Sequence, residues 1–250
     1  MTRIPCDADG RIDPETVISA LTPDTVLVSV MWANNEVGTI NPVIDCAQAC
    51  HDRGVIFHTD AVRRPVVCRS IAATWPWTAL LSAHKIYGPK GIGALIVRRG
   101  TRGIRGPPQI EGGGHEAHLR SGTLPVPLVI GFGTACRLAR EALESESNRL
   151  SGRARDPGRG EFGRGCRVCE STATRPIVSG QVHLGFEGVD GDALLAGLRR
   201  IAVSSGSACT TANPKPSHVG RQWVFPKLSA VPAPVRTRTV QHRGGHRGSG

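Results

Sequence analysis

Val26-Leu-Val-Ser-Val-Met31 is a β-branched apolar run of the kind that forms a buried strand, and the punctuation of residues 42–58 decides the fold. Pro42 opens an amphipathic stretch that sets Val43, Ile44, Ala47 and Cys50 on one face, and Gly54 closes it. Proline near the start and glycine after the end punctuate a helix. Val55-Ile-Phe-His58 is a second strand, and Ala79–Ser82 and Gly93–Val97 are a third and a fourth. Strands spaced by helices predict an α/β fold with a mostly parallel sheet. Further out, a long helix is expected from about Pro127 to Glu146, with acids and arginines on its outer face. A strand (Val182–Phe186), a helix (Gly191–Arg200) and a strand (Ile201–Ser204) then read as a smaller α/β unit.

The chain has 250 residues, 39% of them hydrophobic, enough for one sizeable core or a medium domain plus a smaller one. No apolar run approaches the ~18–20 residues of a membrane span, and the start at Met1 carries no secretory signal. A soluble, cytoplasmic protein is expected. Eight cysteines without a framework pattern suit a reducing compartment. The net charge of +11 suggests nucleic acid, but it is confined to three stretches. Residues 62–78 contribute +3, residues 151–179 another +3 and residues 220–250 a further +6, leaving −1 for the rest. With one Tyr and five Phe, aromatics for base stacking are also scarce. A basic nucleic-acid-binding protein is therefore the distant alternative, and neither nucleic acid nor membrane is expected as a partner.

Three polar clusters fall at strand ends, where parallel α/β sheets bind their ligands: Asn34-Asn35-Glu36, His58-Thr59-Asp60 and Ser82-Ala83-His84-Lys85. Singly, each reads as a turn or helix cap. Together they assemble an amide, a carboxylate, an imidazole and an amine. A desolvated lysine suits Schiff-base chemistry with a carbonyl, and an aspartate can pair with the pyridine nitrogen of pyridoxal phosphate. Cys46 and Cys50, one helical turn apart, read as core thiols. Cys166-Arg-Val-Cys169 has metal-like spacing but no second Cys/His pair at zinc-finger distance, so no metal is expected. His115 reads as a supporting polar contact in a glycine-rich turn.

Six blocks carry a resemblance: Val28-Ser-Val-Met-Trp-Ala-Asn-Asn-Glu-Val-Gly-Thr-Ile40, His58-Thr-Asp-Ala61, Ser82-Ala-His-Lys-Ile-Tyr-Gly-Pro-Lys-Gly-Ile-Gly-Ala94, Gly112-Gly-Gly-His-Glu116, Leu119-Arg-Ser-Gly-Thr-Leu-Pro125 and Ser204-Ser-Gly-Ser-Ala-Cys209. In this order they resemble class I cysteine desulfurases, pyridoxal 5′-phosphate enzymes of the aminotransferase-like fold (fold type I). The resemblance implies that Lys85 carries the cofactor, Asp60 pairs with its ring nitrogen and Asn35 lies near its ring hydroxyl. It further implies that Ser82 and His84 hold the phosphate, and that Thr123 reaches the phosphate in a partner subunit, hence a homodimer. Cys209 matches the nucleophile that takes sulfur from L-cysteine as a persulfide, leaving L-alanine. The sulfur then goes to an iron–sulfur scaffold or another acceptor protein. Residues 1–145 would be the C-terminal part of the large cofactor-binding domain, with the family's N-terminal part lying before Met1. Residues 146–219 would be a partial small domain carrying the cysteine loop, and residues 220–250 a basic, disordered tail.

The departures from the family coincide with the basic stretches. Arg63 stands where the family has glutamine, and the family's closing arginine-bearing block has no counterpart. Back-translated in an adjacent phase, Pro65–Trp77, Gly163–Gly180, Gly220–Leu228 and the stretch from Val235 each permit text similar to the family's, and Arg outnumbers Lys 27 to 4. The second reading is thus a catalytically dead, truncated relative with a damaged reading frame. It shares the fold of the first and differs in whether cofactor and substrate can be held.

Overall fold

The computed structural model describes residues 1–63, 77–97, 107–154, 168–169, 183–186, 191–199, 219 and 240–241, which fall in two compact units. The first gathers Met1–Pro5, Ile12–Trp32 and Asn41–Leu143. Helix α1 (Pro14–Ala20) starts at Asp13, whose side chain accepts the Glu15 amide N–H at 3.2 Å, with Pro14 in the first turn. An N-cap carboxylate followed by proline is a strong helix start, yet α1 is absent from the sequence-based expectations. Next come β1 (Leu27–Ser29), α2 (Val43–His51), β2 (Ile56–Asp60), β3 (Trp77–Ser82), β4 (Gly93–Ile96) and α3 (Val126–Glu141).

The strands lie in the order β1-β2-β3-β4. Strand β2 runs parallel to β1 and to β3, while β4 is antiparallel to β3. The mostly parallel sheet is as expected. Its last strand is reversed because residues 83–92 are too short a link for a parallel crossover, which needs a dozen or more residues.

Strand alternation gives the sheet two unlike faces. On one, Val28, Phe57, Thr59 and Ala79 are buried, as are Val17 of α1 and Val43, Cys46, Ala47, Ala49 and Cys50 of α2. Ile44, expected on this side of α2, is 40% exposed. At about 100° per residue it leaves the stripe centred on Val43, Cys46 and Cys50. Asn41 locks the layer together: its Nδ2 donates to the Met31 carbonyl and its Oδ1 accepts from the Ile12 amide, each at 2.9 Å.

The helix expected from Pro127 to Glu146 is two helices. Helix α3 ends at Ala142, where ψ opens to −4°, and α4 (Leu143–Ala154) follows. The expected outer face is charged, with Arg137 and Glu141 paired at 3.1 Å.

The second unit gathers Cys6–Arg11, Ala33–Ile40 and Glu144–Gly250. Its described part contains α4 from Glu144 onward, β5 (Val168–Cys169), β6 (His183–Phe186), α5 (Gly191–Gly197) and β7 (Val240–Gln241). The three strands form an antiparallel sheet in the order β5-β6-β7. The expected strand and helix at 182–186 and 191–200 appear as β6 and α5. The expected strand 201–204, the Cys209 loop, Cys166 and most of the basic tail lie outside the described residues. Among the described residues no helix is long and apolar enough to cross a membrane.

Cys46 and Cys50 are fully buried, as core thiols should be. Burial pushes their pKa values up, to about 12 and about 11 respectively. Below the ordinary thiol pKa both folded and unfolded chains keep these protons. Above it only the unfolded chain releases them, so stability falls as pH rises. Urea unfolding should show a loss of roughly 2–3 kcal/mol between pH 8 and 10 from the two thiols together, and a Cys46→Ala, Cys50→Ala variant should show a flatter profile.

Candidate active site

The second sheet face carries the polar groups. The register pairs Ser29 with His58 and Asp60 with Leu80, and Ser82 lies two residues beyond Leu80. Ser29, His58, Asp60 and Ser82 therefore point to the same side. This face is open: Leu27 is 53% exposed, Leu80 40% and Leu95 58%.

Asp60 ends β2. Its main chain is held on both sides, the carbonyl accepting from the Trp32 amide at 2.9 Å and the following Ala61 amide donating to Leu80 at 3.0 Å. Its Oδ1 accepts the Val62 amide N–H at 3.0 Å. The half-buried carboxylate is thereby oriented, with its second oxygen left for a ligand. Neighbouring Thr59 points the opposite way, into the core, where its Oγ1 has no hydrogen-bond partner. Of the cluster His58-Thr59-Asp60, only the imidazole and the carboxylate face the site.

Ser82 ends β3, and the chain turns at once into a short 3₁₀ helix, Ala83–Ile86, which presents His84 and Lys85. The Ser82 Oγ and the His84 Nδ1 lie 2.7 Å apart. Tyr87 closes the turn in the left-handed region at φ 63°. Two close approaches fix this turn. Gly93 of β4 passes opposite Ser82, where a Cβ would stand 2.5 Å from the Leu81 carbonyl oxygen. At Gly88 a Cβ would meet Ala83 and Ala135 at 3.0 Å, so α3 packs directly against the segment that bears Lys85.

Thr123 is exposed just before α3. It comes after a loop closed on itself: the Ser121 hydroxyl accepts from the Gly114 amide at 3.1 Å, and the Ser121 amide donates to the Ile110 carbonyl at 3.0 Å. His115 Nδ1 accepts the Gly122 amide at 3.4 Å, the supporting contact expected of it.

Asp60, Ser82, His84, Lys85 and Thr123 all belong to the first unit. Asn35 belongs to the second, half-buried in a loop stapled by Asn34 Oδ1, which accepts the amides of Glu36 and Val37 at 2.8 and 3.0 Å. Cys209 lies outside the described residues. Ser29 is not among the residues that the sequence singles out. A single serine in an apolar strand gives little signal, and only its pairing with His58 brings it to the site. Among the described residues no group of three or more His, Cys, Asp or Glu could hold a metal ion. A carboxylate, a hydroxyl–imidazole pair and an amine at one sheet edge can hold an anionic, nitrogen-containing ring and react with a carbonyl.

A family model described as aminotransferase class-V matches residues 1–224. The cysteine desulfurase IscS of Anaeromyxobacter dehalogenans (strain 2CP-C) is 42% identical over 216 residues, covering 86% of this chain and 53% of that protein. The mitochondrial cysteine desulfurase of Arabidopsis thaliana is 42% identical over 226 residues, covering 88% and 49%. Of solved structures, DndA from Streptomyces lividans matches with a TM-score of 0.71 at 30% identity, over 94% of this chain and 64% of that one. SspA in complex with cysteine matches at 0.67 and 29%, with the same coverage of 94% and 64%. The chain spans about half the length of the curated relatives it matches.

Gly88→Val should destabilise the protein by about 1–3 kcal/mol through overpacking between the turn and α3. The midpoint of urea unfolding measures it, and Gly133→Val, where a Cβ meets nothing within 4 Å, controls for the loss of a glycine without a clash.

Proposed function

Because the chain belongs to the aminotransferase class-V family, we propose that its function is that of a cysteine desulfurase. It takes sulfur from L-cysteine, leaves L-alanine and uses pyridoxal 5′-phosphate as cofactor. What carries the reading is the placement of Asp60 and Ser82 on one open sheet face, with His84 and Lys85 on the turn that continues from Ser82. This donor set fits the cofactor's three ends. Asp60, with one oxygen held by the Val62 amide, offers the other to a ring N–H. Ser82 and His84, hydrogen-bonded to each other, offer a phosphate the donor which that bond leaves outward, and Lys85 offers an amine to an aldehyde.

When bound, the cofactor supplies an electron sink for bond-breaking at the substrate's carbons. Asp60 holds the proton on the ring nitrogen. Lys85 would hold the cofactor through its amine and would move the proton at the substrate Cα. By the family resemblance, Asn35 would serve the ring hydroxyl. Thr123, with its exposed hydroxyl, reaches the phosphate of a partner subunit in a homodimer.

The nucleophile must be a thiolate. Cys46 and Cys50 are unfit, since they are fully buried and burial holds them as thiols. Burial likewise raises Cys6. The family resemblance gives the role to Cys209, in its Ser/Gly/Ala-rich stretch. Its sulfur attacks the substrate sulfur; an S–S bond forms as the C–S bond breaks. The electron pair stays with the carbon, which takes up a proton to become that of alanine. The persulfide on Cys209 then passes to an iron–sulfur scaffold or another acceptor protein, in the cytoplasm.

Incubated with pyridoxal phosphate and reduced with borohydride, the chain should carry the pyridoxyl group on Lys85 by peptide mass spectrometry. A label on Lys90 instead would overturn the assignment. Cys209→Ser should keep the label on Lys85 yet form no protein persulfide from L-cysteine. Alanine and sulfide at unchanged rates would remove Cys209 from the mechanism.

A further inference from the structure

An exposed helix face is ordinarily polar, and the outer face of α3 departs from this in its first turns. Its charged part begins only at Arg137, and from Val126 to Cys136 the helix has no charged residue. Ala135 is buried against the Gly88 turn, so the side of the helix opposite Ala135 looks outward. At about 100° per residue, Val126, Val129 and Ile130 share that side. They are 57%, 45% and 63% exposed. Leu119 and Leu124 are exposed as well and add apolar surface in the loop before the helix, on either side of Thr123 in the chain. Single exposed apolar residues are ordinary, but a set of them on one helix face marks an interaction surface.

The chemistry of this stripe selects its occupant. It offers no charge to an acidic or basic partner, and Arg137 just beyond it is paired with Glu141 at 3.1 Å. An apolar stripe is met best by another, and a two-fold axis sets the same stripe of a second copy against it. Thr123 agrees with this. In the proposed function its exposed hydroxyl serves a site in another subunit, so the surface around it lies at a subunit boundary. We propose that the first turns of α3, through Val126, Val129 and Ile130, are the face on which a second copy of this chain docks, carrying Thr123 to the partner's cofactor. The inference rests on the proposed cofactor site and deepens it by naming the surface that builds the homodimer. Such a contact is isologous and closes at two copies. Thr123, three residues ahead of Val126, then stands at its polar rim.

Sedimentation velocity of the full chain over a range of concentrations tests the docking face. The chain should form a dimer and nothing larger. Val129→Glu combined with Ile130→Glu should weaken that dimer about a hundredfold, as loss of two buried anchors does, while the circular dichroism stays that of the parent. Leu138→Glu, at a residue 52% exposed but beyond the uncharged stretch, should leave the dimer intact. The double variant should also bind pyridoxal phosphate as weakly as Thr123→Ala does, and adding Thr123→Ala to it should weaken binding no further. A chain that stays monomeric, one that grows into larger species, or a dimer that tolerates both glutamates overturns the inference. Borohydride fixation separates this from the cofactor site. A pyridoxyl group on Lys85 in a protein whose dimer ignores the glutamates leaves the cofactor site standing and removes the docking face. A dimer that the glutamates break, with nothing fixed on Lys85, keeps the docking face and overturns the cofactor reading.

Discussion

The parallel pairing of β2 with both of its neighbours, in the register that sets Asp60 beside Leu80, is the constraint on which the site depends. Parallel strands end at the same edge, so Asp60 and Ser82 meet there although 22 residues separate them. Side chains alternate along a strand, and a slip of one residue would send Asp60 into the core and bring Thr59 out. What prevents the slip is the opposite face, where Val28, Phe57 and Ala79 are buried together with the apolar side of α2. The chemistry of one face is held in register by the burial of the other.

That burial is not perfect in its polar accounting. Thr59 carries its hydroxyl into the core without a partner, at a cost of about 1–3 kcal/mol for an unsatisfied buried group. Asn41 does the reverse, with both ends of its amide bonded to main chain from different segments. On the other side of the turn, Gly88 and Ala135 let α3 come within van der Waals contact of the Lys85 segment. The backing fixes the main chain of the turn, while Lys85 itself is exposed rather than desolvated as the sequence suggests. Rigid support around a reactive group is what a site built for one geometry requires.

Much of this could be seen in the residues. Each strand from β1 to β4 announces itself as a short apolar run, and Pro42 and Gly54 bracket α2. Asp60, Ser82, His84 and Lys85 were recognisable because their chemical types are unusual together at strand ends. Other features were hidden. Helix α1 begins at Asp13-Pro14 without a long periodic stretch behind it. The break at Ala142 carries no proline or glycine to mark it. Ser29 sits within an apolar run and looks like filler until its neighbour across the sheet is known.

The sequence by itself determined the kinds of element and the chemical groups on offer, because apolar periodicity and residue type are local properties that need no partner. It also carried the family likeness that the class-V aminotransferase match bears out. Only the tertiary structure decided which side chains share a face. Whether Thr59 or Asp60 looks outward is a matter of strand register. Whether Ser29 meets His58 depends on two segments 29 residues apart lying side by side. The reversal of β4 resulted from the length of one link. Such relations are non-local: pairing and burial across the whole sheet select them, and no window along the chain contains both partners.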